Sequence, residues 1–291
     1  MSSNNKQLTG ASALVWMLQA YSVKHIFGLC GDTSLPFYDA LHGLDHGMEH
    51  ILTRDERSAG YMADAYARVT GKVGVCEGPS GGGATHILPG LVEASESSIP
   101  ILGITTDIST AGRGHYTLTE LDQQGLFRPL TKWNAVIERA AYLPAQVRAA
   151  FRAMTTGRPG AAHLGLPFDV QKEAVPETEI WAQPEFGSYP ALPTAPDPVA
   201  ADALLDALLS ARSSVIVCGG GVVIAGGEAA LAEFAETLNL PVATTISGQG
   251  SLPETHPHCV GVVGSNGGIP ATRAVIDEAD LVLFLGCRAG S

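Results

Sequence analysis

A chain of 291 residues, 45% hydrophobic and only 16% charged, has material for about two domains, each able to bury a core of its own. Its net charge of -12 and the absence of a basic run argue against nucleic acid or an anionic membrane as a partner. No segment approaches the roughly 20 consecutive apolar residues of a membrane span, the polar start MSSNNKQLTG lacks a signal-peptide core, and Cys30, Cys76, Cys218, Cys259 and Cys287 are scattered as reduced thiols of a cytoplasmic protein would be.

Taken in order, the elements alternate between strand and helix, the pattern of a parallel sheet covered on both faces. Thr9 can cap a helix over 11–21. A strand at 24–27 runs into the loop Gly28-Leu29-Cys30-Gly31-Asp32-Thr33-Ser34, followed by a helix over 35–41 and a strand at 50–52. Glu56 opens a helix whose small and apolar positions Ala59, Met62, Ala63, Tyr66 and Ala67 recur at helical spacing, and Thr70-Gly71 ends it. The strand 73–76 enters the loop Gly78-Pro79-Ser80-Gly81-Gly82-Gly83, and a second helix starts near Ala84. Another buried strand covers 99–105. The Gly-, Ser- and Thr-rich stretch 107–118 reads as a mobile loop, and helix, strand, helix and strand follow at 121–127, 135–137, 144–154 and 161–165. In such sheets ligands bind at the loops beyond the strands' carboxyl ends, where Glu56 and Ser80 both fall.

Six prolines between 172 and 198 suggest an extended linker. Beyond it the alternation resumes, with helices at 199–209, 227–238 and 270–278 and strands at 214–218, 241–245 and 280–285, the first strand leading into Gly219-Gly220-Gly221. The expected organisation is a first domain over 1–171, a linker over 172–198 and the first half of a second α/β domain over 199–291, with the last strand ending in mid-fold.

The segment from Glu56 through Ala63-Asp64-Ala65-Tyr66-Ala67-Arg68, Thr70-Gly71 and Ser80-Gly81-Gly82-Gly83-Ala84-Thr85-His86 resembles the pyrimidine-binding domain of the thiamine diphosphate enzymes, specifically the acetolactate synthase-like family. The pieces VIVCGGGV, LPVATTISGQGSLPETHP, GVVGSNGG and ADLVLFLGCR resemble that family's central domain in the same order. The resemblance implies a ThDP-binding α/β fold followed by an incomplete Rossmann-like domain. It also implies a carboligase or decarboxylase acting on a 2-oxo acid or related carbonyl compound.

On the same resemblance Glu56 is the carboxyl group that hydrogen-bonds the cofactor's pyrimidine ring. The residues that would line the cofactor are Gly31, Pro79, Ser80, Gly81 and His86, and those that would line the substrate pocket are Cys30, Asp32 and Thr119. Cys30 stands where the family usually has Pro, Thr119 where it has Gln, His86 where it has Asn, and Asp55 where a His often precedes the Glu. These departures put the substrate in doubt and leave cofactor use little affected. The family's Gly-Asp-Gly and downstream Asn occur nowhere in the sequence. No metal ligand is therefore expected here, and the diphosphate and its Mg2+ are expected on a second subunit in an α2β2 assembly. FAD is the less favoured reading of Gly219-Gly220-Gly221, since three glycines alone are a weak signal.

Plainer readings stand beside these. Glu56 could be a favourable acidic residue in a helix's first turn, Gly82 and Gly83 could serve strand-to-helix packing, and His86 could be structural. Arg128 and Lys132 could be solvated or interface charges. The whole chain could be a non-catalytic structural or regulatory subunit.

Overall fold

The computed structural model describes residues 7–264 and 267–289, so Ser265-Asn266 of the GVVGSNGG piece and the terminal Gly290-Ser291 lie outside it. The chain divides into two compact units, with the boundary between Pro193 and Thr194.

In the first unit β1 (Gln7–Thr9) leads directly into α1 (Gly10–Ala20). Thr9 caps the helix by accepting the backbone N–H of Ser12 on its hydroxyl at 3.1 Å. The strands β2 (His25–Gly28), β3 (Glu49–Leu52), β4 (Gly74–Gly78), β5 (Ile101–Asp107), β6 (Trp133–Val136) and β7 (Ala162–Pro167) form one parallel sheet in the order β3-β2-β4-β5-β7-β6. β4, β5 and β7 are buried along their whole length, which is why they read as nearly continuous apolar runs. One face of the sheet packs against α1, α2 (Leu35–Gly43) and α7 (Leu143–Thr155) in a core that includes Leu14, Met17, Phe37, Phe151 and Leu102. The other face packs against α3 (Glu56–Thr70) and α5 (Leu88–Ser97) around Ala59, Ala63, Ile87, Leu91 and Phe127.

The small residues of α3 have a geometric cause. A Cβ on Gly74 of β4 would lie 2.1 Å from the Ala63 carbonyl oxygen, and one on Gly90 of α5 would lie 2.4 Å from the Gly60 carbonyl carbon. The helix is therefore pressed backbone to backbone against a strand on one side and a helix on the other, and only Gly and Ala fit at the contacts. Asp55 caps its start, accepting the Arg57 N–H at 2.8 Å. Gly71 ends it in the left-handed conformation at φ 67°, where a side chain would be strained.

The stretch expected to be mobile after β5 is tied down by polar contacts. Thr110 donates to Asp169, and the Arg113 guanidinium bonds Glu138 at 2.7 Å and Asp107 at 3.3 Å. The proline-rich segment carries β8 (Ala174–Pro176), which pairs antiparallel with β1. Val175 and Phe186 are buried in the first unit's core, and the Tyr189 hydroxyl donates to the Ala67 carbonyl at 2.9 Å. Neither short strand was foreseen, because three residues are too few for a periodic signal.

The second unit has a four-stranded parallel sheet in the order β11 (Cys259–Val262), β10 (Val242–Thr244), β9 (Ser214–Cys218), β12 (Leu281–Leu285). With it go α8 (Pro198–Ser210), α9 (Gly220–Ile224), α10 (Glu228–Leu238) and α11 (Pro270–Asp277). Its triple glycine has a packing role: a Cβ on Gly219 would lie 2.4 Å from the Gly286 carbonyl oxygen, and the Gly221 N–H donates to that same oxygen at 2.9 Å. No helix among the described residues is long and apolar enough to cross a membrane, and all five cysteines are free.

Two measurements follow from this packing. Gly90→Ala forces α5 off α3 and should lower the first unit's stability by about 1–3 kcal/mol, the usual effect of overpacking; an unshifted thermal transition would show that the helices separate freely. His163 in β7 is fully buried, stacked on Phe127 of α6 (Gln123–Phe127) at 3.7 Å and bonded through Nε2 to the Thr105 hydroxyl at 2.6 Å. Burial pushes its imidazole down to about 3 from 6.5. The unfolded chain thus takes up more protons than the folded one between those values, and this residue's contribution to stability is lost as pH falls from 6.5 toward 3. The stability difference between the parent protein and His163→Gln should shrink across that window, by up to about 1.4 kcal/mol per pH unit, and a pH-independent difference would refute the assignment.

Candidate active site

Three loops meet beyond the carboxyl ends of the adjacent strands β2, β4 and β5. The loop after β2 touches the loop after β4 at Gly31, where a Cβ would lie 2.5 Å from the Pro79 side chain. The loop after β4 touches the loop after β5 at Gly81, whose φ of 68° and contact with Thr119 (2.8 Å from a Cβ) both require glycine. Hydroxyls fasten the same joints. Thr33 accepts the Ser80 N–H at 3.0 Å, and the Ser80 hydroxyl meets that of Thr119 at 2.7 Å.

Glu56, the first residue of α3, is 8% exposed. Its Oε2 lies 3.3 Å from Nδ1 of His86, which stands exposed at the end of α4 (Gly82–His86). Its Oε1 borders the space that a Cβ on Gly83 would occupy, 3.1 Å away, with Pro79 on the other side at 2.4 Å. Gly83 thus lets Pro79 and the Glu56 carboxyl close against it, where any side chain would force them aside. Ligand atoms of Asp55, Glu56 and His86 come within 4.8 Å of one another. Both Asp55 oxygens are nevertheless engaged by Arg57, at 2.6 to 2.9 Å, and these hydrogen bonds hold the Asp55 carboxyl well below the usual range. The trio is better described as a helix cap plus a carboxyl–imidazole pair than as a metal cradle.

A second carboxyl group lies beneath these loops. Glu77 in β4 is wholly buried, its Oε1 bonded to the Ser34 hydroxyl at 2.5 Å and its Oε2 to the Tyr38 hydroxyl at 2.7 Å. Burial pushes its carboxyl up to about 7, opposed by those two hydrogen bonds and reinforced by the charge of Glu56. Burial likewise raises the Tyr38 hydroxyl and the Cys30 thiol, with Glu77 adding to both.

The structure brings Gly31, Glu56, Pro79, Ser80, Gly81, His86 and Thr119 into one cluster by the contacts above. Cys30 and Asp32 lie on the same loop as Gly31 with exposed side chains, the Cys30 thiol reaching only the neighbouring Gly31 carbonyl at 3.8 Å. Arg128 and Lys132 are elsewhere: Lys132 donates to the Thr156 and Arg158 carbonyls at 2.5 and 2.7 Å. Glu77, Thr33, Ser34, Tyr38 and Thr106 escaped sequence reasoning. Glu77 alone left a signal, a charged residue inside the otherwise apolar strand GVCEG, where such residues are rare unless partnered. A separate cleft of about 260 Å³ beyond β5 and β6 is lined by Asp107, Arg113, Gln123 and Glu138, whose Arg113 is paired with both acids.

Both units are similar to known domains. Residues 8–126 match the model of the thiamine pyrophosphate enzyme N-terminal TPP binding domain, and residues 201–291 match that of the thiamine pyrophosphate enzyme central domain. The chain is 39% identical over 283 residues to a probable acetolactate synthase large subunit of Methanocaldococcus jannaschii, covering 97% of this chain and 47% of that one. It is 35% identical over 286 residues to the acetolactate synthase isozyme 1 large subunit of Escherichia coli (98% and 50% covered) and 34% identical over 291 residues to acetolactate synthase of Arthrospira platensis (97% and 50%). The chain spans about half the length of these curated relatives. With the parallel sheets, the buried carboxyl at the head of α3 and both domain matches in hand, the chain belongs to the thiamine pyrophosphate enzyme family, acetolactate synthase-like branch.

Proposed function

We propose that this chain contributes the pyrimidine side of the active site in a thiamine diphosphate-dependent carboligase or decarboxylase acting on a 2-oxo acid or related carbonyl compound. The observation that carries the reading is Glu56, a buried carboxyl at the first position of a tightly packed helix, held against the Pro79–Gly83 loop and beside His86. A scaffold has no need of a carboxyl group there. The residues present fit the cofactor's pyrimidine end: Glu56 would hold a proton toward the ring nitrogen, with Gly31, Pro79, Ser80, Gly81 and His86 around it. When bound, thiamine diphosphate supplies the carbon nucleophile and electron sink that breaking or making a bond beside a carbonyl requires. The chain's own part is to place the ring, exchange one proton at Glu56 and line the substrate side with Cys30, Asp32 and Thr119.

The diphosphate and its Mg2+ are assigned to residues outside this sequence, whether further along a longer chain or on a second polypeptide. The name "large subunit" borne by several relatives supports a multi-chain enzyme. FAD is left out because the glycines of the second unit are occupied in packing against Gly286.

Glu56→Gln should preserve the fold, read by circular dichroism and thermal transition, and lower turnover of pyruvate, used as the probe 2-oxo acid, by about 10²–10⁴-fold. Near-normal turnover would overturn the role. Native mass spectrometry of the protein purified untagged from its own cells should show bound thiamine diphosphate and a divalent metal, and the masses should show whether a longer chain or a second polypeptide carries them. Protein that takes up no thiamine diphosphate would overturn the function.

A further inference from the structure

Behind the candidate site an unbroken row of hydrogen bonds runs from His50 of β3 to Thr119 of the loop after β5. His50 Nε2 lies 3.0 Å from the Tyr38 hydroxyl, which lies 2.7 Å from Glu77 Oε2. From Glu77 Oε1 the row continues to the Ser34 hydroxyl at 2.5 Å, then to Thr106 at 3.0 Å and Thr33 at 2.8 Å. It ends through Ser80 at 3.2 Å and Thr119 at 2.7 Å. The two ends meet water, since His50 is half-buried and Thr119 exposed, whereas Ser34, Glu77, Thr106 and Ser80 are buried. The two oxygens of Glu77 divide the row, one bonded toward His50 and the other toward Thr119. Gly28 keeps room for this junction, because a Cβ there would stand 3.0 Å from both Glu77 Oε2 and the Tyr38 oxygen.

We propose that Glu77 is the proton-holding member of a relay that moves a proton between water at His50 and the hydroxyls of Ser80 and Thr119 on the substrate side of the site. The direction of use rests on the functional reading given above; the relay itself does not. In the forward step Glu77 Oε1–H gives its proton to the Ser34 oxygen. Ser34 passes its own to Thr106, and Thr106, Thr33, Ser80 and Thr119 each accept one proton and release one, Thr119 to the oxyanion of a bound carbonyl substrate. Glu77 is then reprotonated at Oε2 by Tyr38, which takes the Nε2 proton of His50 as a hydronium ion protonates Nδ1; rotation of the Glu77 carboxyl and return of the His50 proton to Nε2 through solvent reset the row. Every intermediate hydroxyl returns to one proton, and the net change is one proton carried across the row. Hydroxyls alone can only exchange protons, whereas a carboxyl can store one, and burial holds Glu77 in the range where both forms are accessible near neutral pH. The titratable groups around it are Tyr38 of α2, Glu56 of α3, Cys30 of the loop after β2 and the neighbouring Cys76 of β4, with His50 of β3 reached through Tyr38. Glu77 acts on the substrate side through other residues and is therefore a positioning residue, not one that touches substrate.

The test begins with the protein free of added cofactor. Infrared difference spectra at about pH 6 should show a protonated carboxyl band that Glu77→Gln removes; a Glu77 already ionised there overturns the relay. On transfer to D2O that band should shift at a rate about tenfold or more above that of the combined Tyr38→Phe, Ser34→Ala protein, in which exchange must await local opening of the fold. Equal rates would show a sealed structural acid and overturn the proposal. In the cofactor-loaded protein Ser34→Ala, which leaves Glu56 and the pocket residues in place, should lower kcat for pyruvate with KM unchanged and flatten the pH profile near neutrality. An unchanged kcat overturns delivery to the substrate side. Failure to bind thiamine diphosphate would remove the functional reading while the D2O result still decides the relay.

Discussion

The backbone-to-backbone contact of α3 with β4 and α5 is the constraint on which the rest of the first unit depends. Atoms of Gly74 and Gly90 lie so close to the helix that no side chain fits between. Such contacts leave little freedom to slide, because any rotation of the helix would bring the Cβ atoms of Ala59, Ala63 or Ala67 into the opposing backbone. The consequence is felt at the helix's first residue. Glu56 owes its position to packing that runs the length of the helix, with Asp55 and Arg57 closing its amino end. Asp64 and Arg68 contribute at the far end, where the Arg68 guanidinium joins Asp64 at 2.8 Å to Glu93 of α5 at 3.0 Å.

The loops show a complementary logic. Two of the three carry a residue that a neighbour lacks: Pro79 fills the gap at Gly31, Thr119 the gap at Gly81, and the Thr33 and Ser80 hydroxyls bridge between. The rim is therefore built from interlocking small residues, with the exposed Cys30 and Asp32 side chains outside those joints.

Much of this was legible in the sequence for identifiable reasons. Buried parallel strands read as apolar runs, Thr9 caps a helix by a local hydrogen bond, and Gly71 ends one where only a left-handed residue can. The small residues of α3 were visible as a pattern, although their partner glycines on β4 and α5 were not, because such contacts join positions remote in sequence. β11 went unread because Gly261 at φ 100° interrupts a short segment flanked by His and Pro. The hydroxyl row was hidden for a similar reason. Thr33, Ser34, Ser80 and Thr106 look in sequence like caps and loop residues, and only the fold aligns them. Glu77 was the exception that could have been noticed, being a carboxylate in an apolar strand.

Cys30 has a consequence for the chemical durability of this rim. Oxidants and electrophiles attack the thiolate, and that form is scarce where the thiol is raised. Partial burial, followed by the carboxylates of Glu77, Asp32 and Asp39, raises Cys30 although it stands exposed at the mouth of the site. Partial burial and the acidic neighbours that flank the loop therefore keep the nucleophilic form of this exposed sulfur scarce, which slows its reaction with oxidants.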